Sequence, residues 1–250
     1  MNLDDLAHVQ REQRHCETHG EYESCSYAGG RHWTGCPSCA DAARRANEEA
    51  AELKRRAHSQ RVLIEGSGIV GRFLQASLAN YQTSTEPQQC VLSACEQFVE
   101  QFPANEGEGL LLLGRPGTGK THLVCGIALE IIARHMRLVH VASATDIVRQ
   151  LRNTWRRGSE EREEDVIERF ASYALLALDE VGVGFGTDGE RSQLFEVLDL
   201  RYRLQRPVLV CSNLNATDLR EALGERAFDR LQDGARVLTL GWASARRRAA

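Results

Sequence analysis

The chain has 250 residues, of which 42 % are hydrophobic, and a formal net charge of −4. That length suits one or two domains and that apolar share suffices for a packed core, while the near-neutral balance excludes a polycation, so any nucleic-acid contact must come from a local patch. No apolar run approaches the ~20 residues of a membrane span.

The first ten residues, MNLDDLAHVQ, lack the basic start and apolar core of a signal peptide. A cytoplasmic protein is therefore expected, in which the eight cysteines stay reduced and clustered ones point to metal. Residues 1–15 are polar and read as a short helix at most. Cys16-Glu17-Thr18-His19 and Cys36-Pro37-Ser38-Cys39 follow, sixteen residues apart. Each turn places two ligands on one side of a tight loop. Cys16, His19, Cys36 and Cys39 together supply the four soft ligands of tetrahedral Zn²⁺. Cys25 lies between the pairs and is an alternative to His19; a redox Cys-x-x-Cys and an unstructured tail are the competing readings. So short a segment buries little apolar surface, so the metal would be a structural staple without chemistry of its own.

Ala40 to His58 is rich in Ala, Glu and Arg, and reads as an exposed helix or linker. Residues 66–81 hold Ile69, Val70, Phe73, Leu74 and Leu78 between small residues. Gln88 to Phe102 is apolar at helical spacing and is ended by Pro103 and an Asn-Glu-Gly-Glu-Gly run. Cys90, Cys95, Cys125 and Cys211 lie in apolar patterns and are expected to be free and buried. The shifts in composition divide the chain into a cysteine-bearing, zinc-binding-like segment at 1–58, a linker with helices at 59–108, and a third stretch at 109–250.

The apolar run Leu110 to Leu113 precedes Gly114-Arg115-Pro116-Gly117-Thr118-Gly119-Lys120-Thr121, and a helical pattern through Leu123, Ile127 and Ile131 follows. Strand, glycine loop and helix is the setting of a phosphate-binding loop. Its glycines let backbone N–H groups aim at phosphate oxygens, and the helix N-terminus adds positive potential. Lys120 would reach the β- and γ-phosphates of ATP, and the Thr121 hydroxyl would hold Mg²⁺.

Arg137 to Ala142 reads as the next strand. Ser143 or Thr145 can cap the helix after it, Asp146 to Arg157, where Arg149, Arg152, Arg156 and Arg157 surround Trp155. Basic groups beside an aromatic suit single-stranded nucleic acid; Trp155 packed in the core behind a solvated face is the competing reading. The acidic stretch from Glu160 to Asp165 would repel phosphate. Ala174 to Glu180 is an apolar strand delivering two acids at its end. Asp179 would hold Mg²⁺ through water, and Glu180 would orient and deprotonate the attacking water. Gln193 to Leu204 is an amphipathic helix. Pro207 to Asn213 is a strand whose polar tip, Asn213, can fix the lytic water or sense the γ-phosphate. Asp218 to Leu223 is a short helix. Arg226 and Arg230 then lie four apart on one helix face, and Ala235 to Leu240 is the last strand. Strands and helices thus alternate from Leu110 onward, which predicts an α/β fold: a mostly parallel sheet with helices on both faces.

From Ser67 to Arg246, about three quarters of the chain, the sequence resembles the DnaC/IstB branch of the AAA+ ATPases. The carriers are Gly-Ile-Val-Gly-Arg-Phe at 68–73, the phosphate loop, Leu-Asp-Glu-Val-Gly at 178–182, Arg-Tyr at 201–202, Ser-Asn-Leu at 212–214, Gly-Glu-Arg-Ala-Phe-Asp-Arg-Leu at 224–231 and the Trp-Ala-Ser-Ala-Arg end. The resemblance implies an AAA+ P-loop core and ATP hydrolysis at subunit interfaces. Lys120 and Thr121 would bind ATP-Mg²⁺, with Asp179 and Glu180 as the Walker B pair and Asn213 as first sensor. Arg230 would be the arginine finger acting on a neighbour's ATP, Arg246 the second sensor, and residues 68–81 the lining of the adenine pocket. It implies loading of the replicative helicase onto single-stranded DNA, with self-association through the ATP site. The helix near 146–157 falls where such loaders carry a DNA-contacting insertion. The alternative it implies is a transposition helper that binds duplex DNA and a transposase. Two departures are Val70 in place of the usual proline and a zinc-like N-terminal segment that not every member shares.

Overall fold

The apolar runs after residue 109 form one five-stranded sheet: β4 (Leu110–Gly114), β5 (Val139–Ser143), β6 (Leu175–Asp179), β7 (Val208–Ser212) and β8 (Arg236–Leu240). Their order across the sheet is β5-β6-β7-β4-β8, with every neighbouring pair parallel. The computed structural model describes residues 9–27, 32–104, 107–182 and 187–244, in two compact units that divide between His58 and Ser59.

In the first unit, β1 (Gln10–Cys16) pairs antiparallel with β2 (Gly20–Tyr27), and β3 (His32–Trp33) pairs with β2. Residues 10–16 are therefore strand, where a short helix was expected over 1–15; residues 1–8 lie outside the described residues. A polar strand carries no alternation of apolar residues to announce it. Its register is set by a tight turn that places Cys16 opposite Gly20, the latter at φ +79°. The Arg11–Glu23 ion pair at 3.1 Å and the Arg14 guanidinium 4.6 Å over Trp33 add cross-strand contacts. Helix α1 (Pro37–Glu65) opens on the second cysteine pair and extends past both expected ends, with no buried residue along its length.

In the second unit, α2 (Glu86–Gln101) starts with a Thr85/Gln88 capping box. It packs with α3 (Lys120–His135) on one face of the sheet, against Leu110, Leu112, Leu175, Ala177 and Leu209. The other face, with Leu111, Leu113, Leu176, Leu178 and Val210, is covered by α4 (Ala144–Asn153), α5 (Glu163–Ser172), α6 (Asp188–Arg203), α7 (Ala216–Leu223) and α8 (Glu225–Gln232). Alternate residues of each strand enter opposite cores. That is why the central strands read as unbroken apolar runs.

Three local differences from expectation have plain causes. Helix α4 begins at Ala144, because Ser143 Oγ accepts the Asp146 N–H at 3.0 Å, and it ends at Asn153, so Trp155 to Arg157 lie in the turn beyond. The acidic stretch near 160–165 supplies the first turn of α5, where Glu163, Glu164 and Asp165 complement the helix dipole. Helix α6 starts five residues early, at Asp188, on a Thr187/Glu190 capping box.

Arg201 is fully buried on α6, and its guanidinium donates to the carbonyls of Phe170 (2.9 Å), Ala171 (3.2 Å), Tyr173 (2.8 Å) and Pro207 (2.7 Å). It joins the C-terminal end of α5 to the entry of β7. Burial pulls it down to about 9, so it stays charged at neutral pH. At the outer edge of the sheet, the Val141 N–H of β5 donates to the Ser67 carbonyl at 2.8 Å. Gly68, at φ +76°, allows that approach, since a Cβ there would collide with the Val141 carbonyl.

Candidate nucleotide site and cysteine–histidine cluster

At the C-terminal edge of the sheet, the glycine loop runs from Gly114, the last residue of β4, to Thr121 in the first turn of α3. Gly117 and Gly119 have φ of +84° and +95°, the left-handed region that glycine enters without strain. Lys120 is buried, and its Nζ donates to Gly114 O (2.6 Å), Arg115 O (2.9 Å) and Asn213 Oδ1 (2.8 Å). The Thr118 hydroxyl donates to Arg115 O at 2.9 Å.

Asp179 ends β6. Glu180 follows at φ +55°, a left-handed conformation that costs a residue with a Cβ about 1–2 kcal/mol. The Glu180 N–H donates to Asp179 Oδ1 at 2.9 Å. The turn is tied to β7 by Val181 N–H to Cys211 O (3.1 Å) and Ser212 Oγ to Val181 O (2.6 Å). Asn213 comes next in the chain. Lys120, Thr121, Asp179, Glu180 and Asn213 thus line one cavity of about 350 Å³, together with Pro116, Gly117 and Gly119 of the loop. Arg72 and Phe73, from the 66–81 stretch, form another part of its wall.

Two further wall residues carry no site role in the sequence reading: His122, held by Asn80 Oδ1 at 2.7 Å, and Cys211, expected there only as a free buried cysteine. Burial pushes the Cys211 thiol well above its ordinary value, and the charge of Asp179 adds to this, so it is a neutral donor and no nucleophile. Cys95 and Cys125 are buried as expected, whereas Cys90 is exposed.

Arg230 lies elsewhere. It sits on α8, where its Nε donates to Asp199 Oδ1 at 3.2 Å and its guanidinium lies 4.4 Å over the Tyr202 ring. It lines a second cavity, of about 330 Å³, with Val208, the first residue of β7. That cavity is at the opposite end of the strands from Asp179. Arg246 lies outside the described residues. Trp155 is 62 % exposed, so it is no core residue, and its Nε1 donates to Glu163 at 2.9 Å. Beside it, Arg149 pairs with Asp146 and Arg152 with Glu190.

In the first unit, Cys16, His19, Cys36 and Cys39 bring their ligand atoms within 4.8 Å of one another. Cys16 Sγ is 3.5 Å from Cys39 Sγ. His19 Nδ1 is 3.3 Å from Cys39 Sγ and 3.7 Å from the sulfurs of Cys16 and Cys36. Bonds of ~2.3 Å to sulfur and ~2.0–2.1 Å to nitrogen give a tetrahedron with edges of roughly 3.5–3.8 Å. Donor types and spacing therefore fit Zn²⁺. Backbone N–H groups of Thr18 and His19 pull the Cys16 thiol down to about 6, and the hydrogen bond to Cys16 pushes Cys39 up to about 11. Cys25 is not in the group; its N–H donates to Thr34 Oγ1 at 2.9 Å.

Among the described residues, no helix is long and apolar enough to cross a membrane. The profile of the IstB-like ATP binding proteins matches residues 53–250. The replicative helicase loader DnaC of Escherichia coli (strain K12) is 31 % identical over 185 residues, covering 74 % of each chain. That of Buchnera aphidicola subsp. Schizaphis graminum (strain Sg) is 29 % identical over 203 residues, covering 81 % of this chain and 82 % of its own. Among solved structures, a DnaC helicase loader superposes with a TM-score of 0.62 at 22 % identity, over 68 % of this chain and 99 % of the other. DnaI does so with 0.58 at 22 % identity, over 71 % and 95 %. The glycine loop, the acidic strand end and the parallel sheet that joins them thus stand in a chain that belongs to the IstB-like ATP-binding proteins, on an AAA+ fold.

Proposed function

We propose that this protein is an ATPase that loads a replicative helicase onto single-stranded DNA. The observation that carries this reading is the convergence of Lys120, Asp179, Glu180 and Asn213 on one cavity, in a chain similar to DnaC over three quarters of its length.

In this reading, the backbone from Gly114 to Thr121 wraps the phosphates of ATP, and Lys120 moves from loop carbonyls to the β- and γ-phosphates. Thr121 and Asp179, which line the same cavity, hold Mg²⁺. When bound there, the ion would supply positive charge against the phosphates. Glu180 takes the proton of the attacking water, and Asn213 fixes the water's position. Arg230 acts on ATP held by a second copy, because it stands at the far end of its own sheet. Hydrolysis then depends on assembly, which suits a switch. Arg246 takes the role of second sensor on the family pattern alone.

Residues 1–58 form a partner-binding module closed by Zn²⁺ on Cys16, His19, Cys36 and Cys39; 59–108 form the linker and adenine side, and 109–250 the ATPase core. The exposed Trp155, with Arg156 and Arg157, offers single-stranded DNA a stacking surface and phosphate partners. Such a protein works in the cytoplasm.

The test is capture of purified replicative helicase by the full chain, with ATP turnover measured with and without single-stranded DNA. Retention of helicase and faster turnover on DNA are expected. The IstB-like family match favours a second reading, a transposition helper. Capture of a transposase on duplex DNA, with no helicase retained, would establish that one.

A further inference from the structure

The phosphate loop is held from behind by two side chains from opposite ends of the second unit. The Thr118 carbonyl accepts from Tyr81 Oη at 3.0 Å and from Trp242 Nε1 at 3.0 Å. Tyr81 precedes α2, and Trp242 stands two residues beyond β8. We propose that Tyr81 and Trp242 are positioning residues that fix the Thr118–Gly119 peptide, so that the Gly119 N–H is aimed at a nucleotide phosphate. The inference rests on reading Gly114 to Thr121 as a phosphate cradle.

A trans peptide is planar, with its carbonyl and N–H pointing in opposite directions. All described peptides are trans. Anchoring the Thr118 carbonyl outward therefore turns the Gly119 N–H the other way, toward the cavity that Gly119 lines. The anchor has work to do here, since glycine's free φ makes rotation of this peptide easy. A carbonyl oxygen has two lone pairs, and the two aromatic donors occupy both. The Tyr81 ring is also a steric stop: a Cβ on Gly119 would come within 2.6 Å of it. Burial raises the Tyr81 hydroxyl to about 12, so it remains a donor at any working pH. Ser244 closes on Gly117 in the same way, so that glycine too has no room for a side chain.

The experiment titrates the full chain with ATP, tripolyphosphate and AMP, in the parent, Tyr81→Phe, Trp242→Phe and the double variant. Both substitutions keep an aromatic ring and remove the donor; Tyr81→Phe deletes the hydroxyl alone, whereas Trp242→Phe also gives up part of the ring volume packed against the core, a loss that the AMP control reads. Each single variant is expected to weaken ATP and tripolyphosphate roughly two- to tenfold, the range of one hydrogen bond. The double variant should lose more than the product of the two, because each single variant leaves the carbonyl one donor. AMP affinity should stay at the parent value. General loosening of the fold would lower all three ligands together, which overturns the proposal, as would an adenine-side role for Tyr81 seen as an equal loss for AMP. Parent affinity for ATP in the double variant overturns it as well. If the parent itself bound neither ATP nor tripolyphosphate, the cradle reading would fall first, and the two failures are told apart by that control.

Discussion

Asn213 Oδ1 accepts a hydrogen bond from Lys120 Nζ at 2.8 Å, across 93 positions of sequence. Residue 120 opens the helix after β4, and residue 213 follows the tip of β7, its neighbour in the sheet. The parallel pairing of Leu113 with Ser212 brings the two together. The strand end that would sense the γ-phosphate is thus already in touch with the cation that would bind it.

Lys120→Ala should abolish ATP binding by calorimetric titration, since among the described residues no other ammonium lines the cavity. Asn213→Ala should behave differently. Lys120 keeps two carbonyl partners, so ATP should still bind within about threefold, while turnover falls by 10-fold or more, about 1.4 kcal/mol of transition-state stabilisation. Unchanged turnover would remove Asn213 from the reaction.

Arg230→Ala should bind ATP normally and lose hydrolysis that depends on assembly. A mixing assay isolates the effect. Subunits carrying Lys120→Ala but an intact Arg230 are combined with Arg230→Ala subunits that retain a working cradle. Recovery of turnover in the mixture, by 10-fold or more over either alone, is expected for a guanidinium that acts across an interface. No recovery, or full activity of Arg230→Ala alone, would rule out the trans role.

One zinc ion per chain should be found by metal analysis of purified protein. Cys36→Ser with Cys39→Ser should lose the ion and unfold the hairpin unit, because structural zinc contributes on the order of 10 kcal/mol or more to so small a segment. The second unit has its own two apolar cores and should keep its ATP affinity. Hydrogen exchange that rises only before residue 37 would be the expected pattern; unchanged exchange without metal would contradict it.

Stability should fall on mild acidification through His140. Its ring stacks on Tyr173 at 4.7 Å, its Nδ1 contacts the Gly66 carbonyl at 3.1 Å, and burial lowers its pKa below the ordinary 6.5, with Arg169 pushing the same way. As pH drops past that ordinary value, the unfolded chain takes up a proton that the folded chain refuses. Unfolding is favoured until the folded imidazole titrates as well. Melting curves between about pH 7.5 and 5.5 should show a smaller pH-dependent drop for His140→Phe than for the parent.

The nucleotide side of the fold was legible because its signals are local. A glycine loop between an apolar run and a helical pattern fixes its own structure, and two acids at the end of an apolar strand can only project from the sheet edge. The cysteine pairs were legible for the same reason. What escaped notice depends on distant or aperiodic contacts. Strand β1 is polar on both sides, so Gln10 to Cys16 gave no period. Arg201 entered only through the Arg-Tyr pair at 201–202, and nothing local announces the four carbonyls that bring it inside. Tyr81 and Trp242 meet at Thr118 only because β8 lies beside β4, a pairing that no spacing announces. Trp155 gave two readings in sequence, and its exposure came from a helix ending two residues before it.

The Ser67 carbonyl on Val141 has a bearing on how copies of this chain can associate. An outer strand with open amide groups invites a second molecule to extend the sheet, often without limit. Here the chain's own connecting segment occupies part of that rim. Growth by strand addition on that side is discouraged, so a second copy that met this rim would meet side chains and a covering segment rather than a strand to extend.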